Sequence, residues 1–466
     1  MERIKIGFLP SHRSVFNKDW ALEMRERTIK AISKIDFIEL VTPTDQLTSG
    51  GLVESEDDAK KIIKLFTDSN IDALLIGTMT FGEELPAVSV AESFSDKPIM
   101  LFGTKEGPFT QDGCRKSDSF CGTLSISAGL YRRGIQFLFL GIIFPEEDIF
   151  TEKITSFAQT SRAVNSFQKT TVGLIGPRPY PFETCTINEA NLVYEFGIRV
   201  KPISLLMISD EMNKIKDNDK LVKGIIDDIK SRADCSSMRS ETLIKLAKLE
   251  LVLLEHVAKE ELSSLALSCW PELPEIMGIS ACTVASRLTE KGICTACEAD
   301  IYGALTMYAQ YLMSCDKEVP HFIDWTIQKQ DNKNSFLSWH CGNAPMCLAK
   351  EGEKIVIREN SVSSTVYGSE NTEGTVEFQL KSGDVSLNRL VEYNGIFKML
   401  ITNGKVRNKS MDLRGSWCWV EVEDLEKLYR TLVMEGFVHH ASLVYGDYSG
   451  PMTDFCDSLG IEKIIV

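Results

Sequence analysis

The first part of the chain alternates nearly continuous apolar runs with stretches whose apolar residues recur at the spacing of an α-helix. Residues 3–10 and 73–77 are apolar runs that predict buried strands, and residues 20–35 and 56–68 carry the helical period. Strands this apolar, separated by helices, are typical of a parallel sheet that is covered on both faces. Three more apolar runs, each predicting a strand, lie at residues 37–41, 98–102 and 137–143.

A second series of the same kind begins near residue 170. The stretch TTVGLIGPRPYPF predicts a strand and a proline-rich loop, and TINEANLVYEFG predicts a helix that ends at Gly197. A strand is then predicted at residues 200–208, followed by charged amphipathic helices at 210–234 and 240–261. The series closes with a strand at 265–270, a helix at 281–291 and the strand that precedes Glu298.

From about residue 343 the pattern changes to short strands separated by Gly, Asn and Ser turns, which predicts a small antiparallel barrel or sandwich. These strands lie at residues 355–358, 374–380, 396–401, 417–422 and 462–466, with a helix at 422–435. The predicted fold class is therefore α/β. Two doubly wound α/β domains, residues 1–168 and 169–344, are followed by a β-rich, barrel-like domain, residues 345–466.

Composition and charge narrow the class of protein. The chain has 466 residues, of which 43% are hydrophobic and 25% charged, as in an ordinary soluble globular protein. A formal net charge of −15 argues against nucleic acid or an anionic membrane as the main partner, and no apolar run is long enough to span a bilayer. The sequence starts without a signal-peptide pattern, and the odd count of 13 cysteines favours free thiols. We therefore expect a cytoplasmic protein.

The stretch ICTACEADIYGALTM, residues 293–307, is the strongest candidate for chemistry. Its apolar run ends in Glu298 and Asp300, and a helical segment follows at once. The carboxyl ends of strands in an open α/β sheet form the ligand crevice, where two carboxylates can hold a metal or move a proton. Alternatively, one of these carboxylates only caps the following helix.

The loop GTKEGPFTQDGCRKSDSFCG, residues 103–122, also follows a predicted strand. Its mixture of cations and hydroxyl groups suits a polyol or an anionic substituent, and the alternative is a mobile surface loop. The glycine pattern of a dinucleotide site is missing from the first strand and its turn, so we expect no such site there.

Histidine is scarce, and three of the six histidines follow or begin apolar runs: His340, His439 and His440. Each alone is more often a structural residue than a ligand. Glu298, Asp324, His340 and His440 form a set at the ends of such runs, and two carboxylates with imidazoles suit a divalent metal such as Mn²⁺. A competing zinc site would use Cys294 and Cys297 with Cys341 or Cys347, although no second CxxC pair supports it.

The chain resembles the L-fucose/L-arabinose isomerase superfamily. The most specific matches are CEADIYGALTM at residues 297–307, FIDW at 322–325 and SWHCGNAP at 338–345. SFCG at 119–122 and SCWPELP at 268–274 match more loosely. The resemblance covers nearly the whole chain and shares the domain order predicted above.

The resemblance implies a ligand set and roles for these residues. Glu298 and Asp324 match the metal-binding carboxylates, and His440 matches the metal histidine, with His439 as the alternative. His340 stands where only the arabinose branch has a metal histidine, whereas Asp324 is the residue of the fucose branch. The implied metal is Mn²⁺ or another divalent ion such as Mg²⁺ or Co²⁺. Residues implied to bind substrate are Lys105, Arg115, Ser119, Cys121, Trp270, Asn343 and His439.

The implied function is a metal-dependent aldose–ketose isomerase that acts through a cis-enediol intermediate, with Glu298 and Asp324 moving the protons. The substrate would be a fucose- or arabinose-like sugar or a modified hexose, including acidic or sulfonated ones. The similar enzymes are oligomeric, so a homo-oligomer, trimer or hexamer, with active sites between subunits is expected. The alternative is a non-catalytic sugar-binding protein with two α/β lobes around a cleft.

Overall fold

The computed structural model describes residues 3–407 and 411–466. The chain forms two compact units. The first contains the described residues of Met1–Ser166 together with Thr453–Ile461, and the second contains those of Phe167–Met452 together with Glu462–Val466. The division into three domains at residues 168 and 344 stays a prediction. Within the described residues, no helix is both long and apolar enough to cross a membrane.

The first unit is built on a five-stranded parallel sheet. Its strands are β1 (Ile4–Ser11), β2 (Ile38–Val41), β3 (Ala73–Thr78), β4 (Ile99–Gly103) and β5 (Leu138–Ile142), in the spatial order β2-β1-β3-β4-β5. The helices between and after them are α1 (Lys18–Ile32), α2 (Glu56–Ser69), α3 (Glu84–Ser93), α4 (Ser119–Tyr131) and α5 (Asp148–Phe167).

Alternate residues of these strands enter two separate cores. Leu75 packs with Trp20 and Phe150 on one face, and its neighbour Leu74 packs with Phe66 on the other. Since successive side chains of a strand point to opposite faces, a strand buried on both faces must be apolar throughout. This confirms the prediction of a doubly wound α/β arrangement from the continuous apolar runs.

The second unit begins with a four-stranded parallel sheet in the order β7-β6-β8-β9. Its strands are β6 (Thr171–Ile175), β7 (Arg199–Ile203), β8 (Ser264–Leu267) and β9 (Cys294–Cys297). Its helices are α6 (Glu189–Phe196), α7 (Leu205–Lys214), α8 (Lys220–Arg232), α9 (Ser240–Lys259), α10 (Cys282–Glu290) and α11 (Ile301–Met313).

Two predictions within this sheet are wrong. The strand predicted to run to residue 208 ends at Ile203, and the Ser204 hydroxyl caps α7 by accepting the N–H of Leu206. The apolar run that follows is helical, because Leu205 and Ile208, one turn apart, are the buried members. The helix predicted over 210–234 is interrupted at residues 215–219, where Asp219 caps the new helix α8.

The carboxyl-terminal part forms a nine-stranded sheet in the order β12-β13-β16-β11-β10-β17-β14-β15-β18. An added pairing of β15 with β16 closes six of these strands into a ring, which confirms the predicted β-rich, barrel-like fold of this part of the chain. The strands are β10 (His321–Gln328), β11 (Ser335–His340), β12 (Val356–Glu359), β13 (Glu373–Gln379), β14 (Gly383–Tyr393), β15 (Ile396–Arg407), β16 (Ser416–Glu421), β17 (His440–Tyr445) and β18 (Glu462–Ile465). The helices are α12 (Ser364–Tyr367), α13 (Leu425–Met434) and α14 (Ser449–Leu459).

Candidate active site

Glu298 lies at a sharp turn between β9 and α11. Glu298 and the next residue, Ala299, both adopt left-handed backbone conformations, with φ of 60° and 56°. The N–H of Ala299 donates to the carbonyl of Leu267 at the end of β8, at 3.1 Å. Left-handed residues with side chains cost on the order of 1–3 kcal/mol and concentrate at functional sites, where the surrounding structure enforces them. The turn fixes Glu298 beside the crevice at the carboxyl end of the sheet.

Asp300, two residues later, is the helix cap that the alternative interpretation of this stretch predicts. Its carboxylate accepts the N–H of Gly303 at 2.8 Å and two bonds from the Arg389 guanidinium, at 2.5 and 3.1 Å. Both Asp300 and Arg389 are fully buried. Burial raises the pKa of Asp300, but Arg389 and His440 outweigh it and hold this pKa well below its ordinary value. Asp300 is therefore an ionised carboxylate inside the protein.

His440 lies between the carboxylates of Asp300 and Glu298. Its Nδ1–H donates to Asp300 Oδ2 at 2.8 Å, and its Nε2–H donates to Glu298 Oε2 at 2.6 Å. Burial lowers the pKa of His440, but bonds to Asp300, Cys185 and Glu298 raise it well above its ordinary value. Because Nδ1 is bonded to Asp300, the ring orientation is fixed and Nε2 faces Glu298 and any ligand bound beside it.

Asp324 joins this group through strand pairing. It lies inside β10 and not at the end of the strand, and His440, the first residue of β17, is its direct cross-strand partner. Opposed residues of antiparallel strands have Cβ atoms about 4.5–5.5 Å apart. Accordingly, Asp324 Oδ1 is 3.8 Å from His440 Nε2. Neighbouring strands thus bring together two residues that are far apart in the sequence.

His340, the last residue of β11, completes the predicted metal set. Its ring packs 5.5 Å from that of Phe322, which also contacts His440 at 4.8 Å. Nδ1 of His340 accepts the N–H of Cys341 at 2.9 Å, whereas Nε2 is buried and has no hydrogen-bond partner among the described residues. Asp324 Oδ1 is likewise buried and accepts no hydrogen bond from the described residues.

These unpartnered atoms test whether a metal fits. Buried polar atoms are normally hydrogen-bonded, so an orphaned carboxylate oxygen and an orphaned imidazole nitrogen in one site need a partner. Together with the Glu298 carboxylate and His440 Nε2, these atoms are of the oxygen and nitrogen types that suit a divalent cation. Asp324 and His340 are nevertheless outside the described groups whose ligand atoms lie within 4.8 Å of one another. Two groups of side chains in the described structure offer ligand atoms within 4.8 Å of one another: Glu298, His439 and His440; and Cys185, Asp300 and His440. Neither contains the cysteines of the alternative zinc site.

A cavity of about 460 Å³ opens beside Glu298 and His340. This volume lies within the range of about 300–1,000 Å³ that is usual for small-molecule sites. Trp270 lines the cavity and donates its indole N–H to Glu298 Oε1 at 3.1 Å, and the ring of Phe182 meets that of Trp270 edge-on. Glu298 is thus held from both sides, by Trp270 at Oε1 and by His440 at Oε2.

The remaining residues predicted to bind substrate lie in both units. In the second unit, Asn343 is buried against His321, and the ring of His439 lies 4.0 Å from that of His440, tilted by 54°. The other four lie in the first unit, at or near the loop after β4. Lys105 pairs with Glu147, Arg115 pairs with Asp118, the Ser119 hydroxyl is buried against Thr78, and Cys121 is exposed on α4. Their roles stay predictions.

Sequence reasoning missed Arg389. For Asp300 it offered a metal ligand, a proton carrier or a helix cap, but not the support of His440. A buried arginine needs a buried carboxylate, but the sequence does not say which one. The available signal was the polar pair Asn388-Arg389 inside an otherwise apolar run, which a strand tolerates only when polar partners face it.

The loop after β4 is held by one carboxylate. Glu106 accepts the N–H groups of Lys116, Ser117 and Asp118 and the hydroxyl of Ser117. Hydrogen bonds to a charged group contribute about 1.5–3 kcal/mol each, and Glu106→Gln should lose part of this contribution because the amide is neutral. We therefore expect faster amide hydrogen exchange over residues 106–118. Asp112→Asn at the exposed tip is the matched control, and equal exchange in both variants would contradict this role.

Comparison with known proteins identifies the family of the chain. Residues 7–168 match the family model described as "Fucose/sulfoquinovose isomerase, N-terminal domain", and residues 338–465 match "L-fucose isomerase, C-terminal domain". A sulfoquinovose isomerase from Priestia aryabhattai is 23% identical over 99% of both chains. Those from Alkalicoccus urumqiensis and Clostridium sp. (strain MSTE9) are 25% identical over 95% and 21% identical over 99% of both chains. The chain therefore belongs to the L-fucose isomerase-like proteins of the L-fucose/L-arabinose isomerase superfamily, and it is an aldose–ketose isomerase, an intramolecular oxidoreductase.

Proposed function

We propose that this protein is a metal-dependent isomerase that converts a sulfonated aldohexose of the sulfoquinovose type into its ketose. The observation that carries the proposal is the convergence of Glu298, Asp324 and His440. Glu298 Oε2 lies 2.6 Å from His440 Nε2, and Asp324 Oδ1 lies 3.8 Å from it. The sulfonated substrate is supported by relatives named sulfoquinovose isomerase that align over 95–99% of the chain. An isomerase activity disfavours the alternative of a non-catalytic sugar-binding protein.

Glu298, Asp324 and His440 would hold the metal, with His340 as a further ligand or a direct neighbour. Mn²⁺, or another ion such as Mg²⁺ or Co²⁺, would supply a Lewis acid that stabilises negative charge on the sugar oxygens. Ligand atoms must be deprotonated, so a metal held here would require His440 to give up its Nε2 proton. Proton release on metal addition is therefore an independent readout of binding.

The protein side chains move the protons. Isomerisation takes a proton from C2 of the aldose and delivers one to C1, which needs a carboxylate on one face of the planar cis-enediol. Glu298 and Asp324 are the candidate bases, one acting on carbon and the other on the hydroxyl proton. Trp270 fixes Glu298 through its indole N–H, and Asp300 fixes the ring of His440. The site thus orients its reacting groups before the sugar binds.

Recognition of the sulfonate would need cations from elsewhere, because no lysine or arginine is among the described residues that line the cavity. Lys105 and Arg115 stay our candidates, contributed by a neighbouring subunit of a homo-oligomer, a trimer or hexamer. The cytoplasmic location also stays a prediction. We expect Lys105→Met and Arg115→Met to raise KM for the sulfonated sugar more than for the same sugar without sulfonate. Equal changes in both KM values would contradict the assignment.

The proposal is tested by metal analysis coupled to a substrate screen. Chelation should abolish turnover, and Mn²⁺ should restore it better than Zn²⁺, because carboxylate-rich sites suit harder ions. The screen compares sulfonated, carboxylated and unsubstituted aldoses at saturating Mn²⁺. Full activity in a demonstrably metal-free preparation would refute the metal, and turnover restricted to unsubstituted aldoses would refute the substrate class.

A further inference from the structure

Four thiols line the cavity beside Glu298, and the proposed chemistry uses none of them: Cys269, Cys282, Cys297 and Cys341. All four are free cysteines. Two of them touch, since the thiol of Cys297 donates to Cys269 Sγ at 3.0 Å. The contact is direct and lies at the wall of the cavity, so these two sulfurs are a candidate site for thiol chemistry.

The sheet holds this pair in place. Cys297 ends β9 and is the ladder partner of Leu267, which ends β8, and Cys269 follows two residues later. A disulfide has an S–S bond of about 2.05 Å, so bonding needs the two sulfurs to move about 1 Å closer. Side-chain rotation and a small backbone shift in the segment after β8 can supply this movement.

We propose that Cys269 and Cys297 form a reversible disulfide when the protein meets a hydroperoxide, and that this bond inhibits the neighbouring site. The inhibition rests on the proposed function, whereas formation of the bond does not. No other site residue needs to change chemically.

The two sulfurs have different roles in the reaction. Cys269 is partly exposed to the cavity, whereas Cys297 is only 4% exposed and is the proton donor of the pair. Cys269 is therefore the sulfur that an oxidant reaches first.

The reaction balances in two steps. Cys269 loses its proton and attacks one peroxide oxygen as a thiolate, which forms an S–O bond and breaks the O–O bond. The leaving hydroxide takes up that proton, so the products are a sulfenic acid and one water. Cys297 then attacks the Cys269 sulfur, which forms the S–S bond and breaks the S–O bond, and the Cys297 proton leaves with the hydroxyl as a second water. Two thiols and one hydrogen peroxide give one disulfide and two waters, and a dithiol reductant reverses the oxidation.

The bond would act on the site through the next residue in each segment. Trp270 follows Cys269 and Glu298 follows Cys297, and the two are joined by the indole hydrogen bond at 3.1 Å. Drawing the sulfurs together displaces both residues. Because misplacement of a reacting group by about 1 Å can cost 10²-fold in rate, we expect the oxidised protein to lose most of its turnover.

The test uses the full-length protein, first reduced and then treated with stoichiometric hydrogen peroxide. Peptide mapping should find the segments of Cys269 and Cys297 joined, with the loss of two hydrogen atoms. Cys297→Ser should stop the reaction at a Cys269 sulfenic acid that dimedone captures, whereas Cys114→Ser, which removes an exposed thiol, should still form the disulfide. Wild-type protein that stays fully reduced, or joins other cysteines, overturns the proposal whether or not Cys297→Ser folds.

Turnover is measured on the same samples. Activity should fall as the joined peptide accumulates and return with dithiothreitol, in the wild type and in Cys114→Ser alike. A disulfide that leaves turnover unchanged overturns the inhibitory role. If reduced, Mn²⁺-loaded protein shows no isomerase activity, the proposed function fails, and the peptide map still decides whether the bond forms.

Discussion

Glu298→Gln and Asp324→Asn are each expected to lower turnover by at least the ~10²-fold typical of removing a general base. The amides keep the size and polarity of the carboxylates but lose their charge and basicity. Each change should also weaken metal binding, because an anionic oxygen ligand becomes a neutral one. The fold should survive, since Glu298 lies in a turn and Asp324 Oδ1 makes no hydrogen bond with the described residues that the change would remove.

The informative measurement is exchange of the C2 hydrogen of the aldose with deuterated water, which places deuterium at C1 of the ketose product. It is made alongside turnover, at a saturating concentration of metal. A cis-enediol route predicts label in the wild-type product and little in either variant. The control is Glu241→Gln, which removes an exposed carboxylate of α9 that pairs with Lys245. An active wild-type enzyme without label uptake would indicate a hydride shift or a shielded proton. Turnover at the wild-type level in both variants would remove these carboxylates from the mechanism.

Much of the fold could be predicted because its signals are local. The continuous apolar runs of the first sheet indicated burial on both faces, and the Gly197 stop of α6 was predicted from its sequence and is present as a left-handed cap. The apolar segment Leu205–Ile208 was misassigned because four successive apolar residues fit a strand or one helical turn equally well. Only Leu205 and Ile208, one helical turn apart, are buried, which identifies the segment as a helix. This burial depends on tertiary packing, which the local sequence does not specify.

In the candidate site, too, some features follow from the local sequence and others depend on residues that are distant in the chain. Glu298 could be selected from one stretch, because a carboxylate at a strand end has a chemical meaning there. The pairing of Asp324 with His440 depends on β10 lying next to β17, which are separated by most of the barrel in sequence. Strand order is set by the packing of the whole sheet. The apolar runs and the family resemblance could therefore group Asp324 and His440 as candidate ligands, but could not predict that they are cross-strand partners. Neither the local sequence nor the family resemblance predicted that Asp300, paired with Arg389, supports His440.

That support leads to a prediction about stability. Asp300→Asn should lower the free energy of unfolding by about 3–5 kcal/mol, because it leaves the Arg389 guanidinium buried without its counter-ion. The double variant Asp300→Asn/Arg389→Met should recover much of this loss, since it removes the unpaired charge. Urea unfolding of the two single variants and the double variant gives the coupling between the residues. Additive losses would contradict a shared ion pair.

The pH dependence of this effect has a defined sign. The pKa of Asp300 is lowered in the folded protein, so its contribution to stability is fully present above the ordinary aspartate pKa near 4 and is lost as pH falls below it. The difference between wild type and Asp300→Asn should therefore shrink in acid. Asp300→Asn should also weaken metal binding about 10–100-fold, because the Nδ1–H of His440 loses its charged acceptor. Proton release on titration with Mn²⁺ measures this affinity without turnover, and an unchanged affinity in a folded variant would show that Asp300 serves only the helix cap and the ion pair.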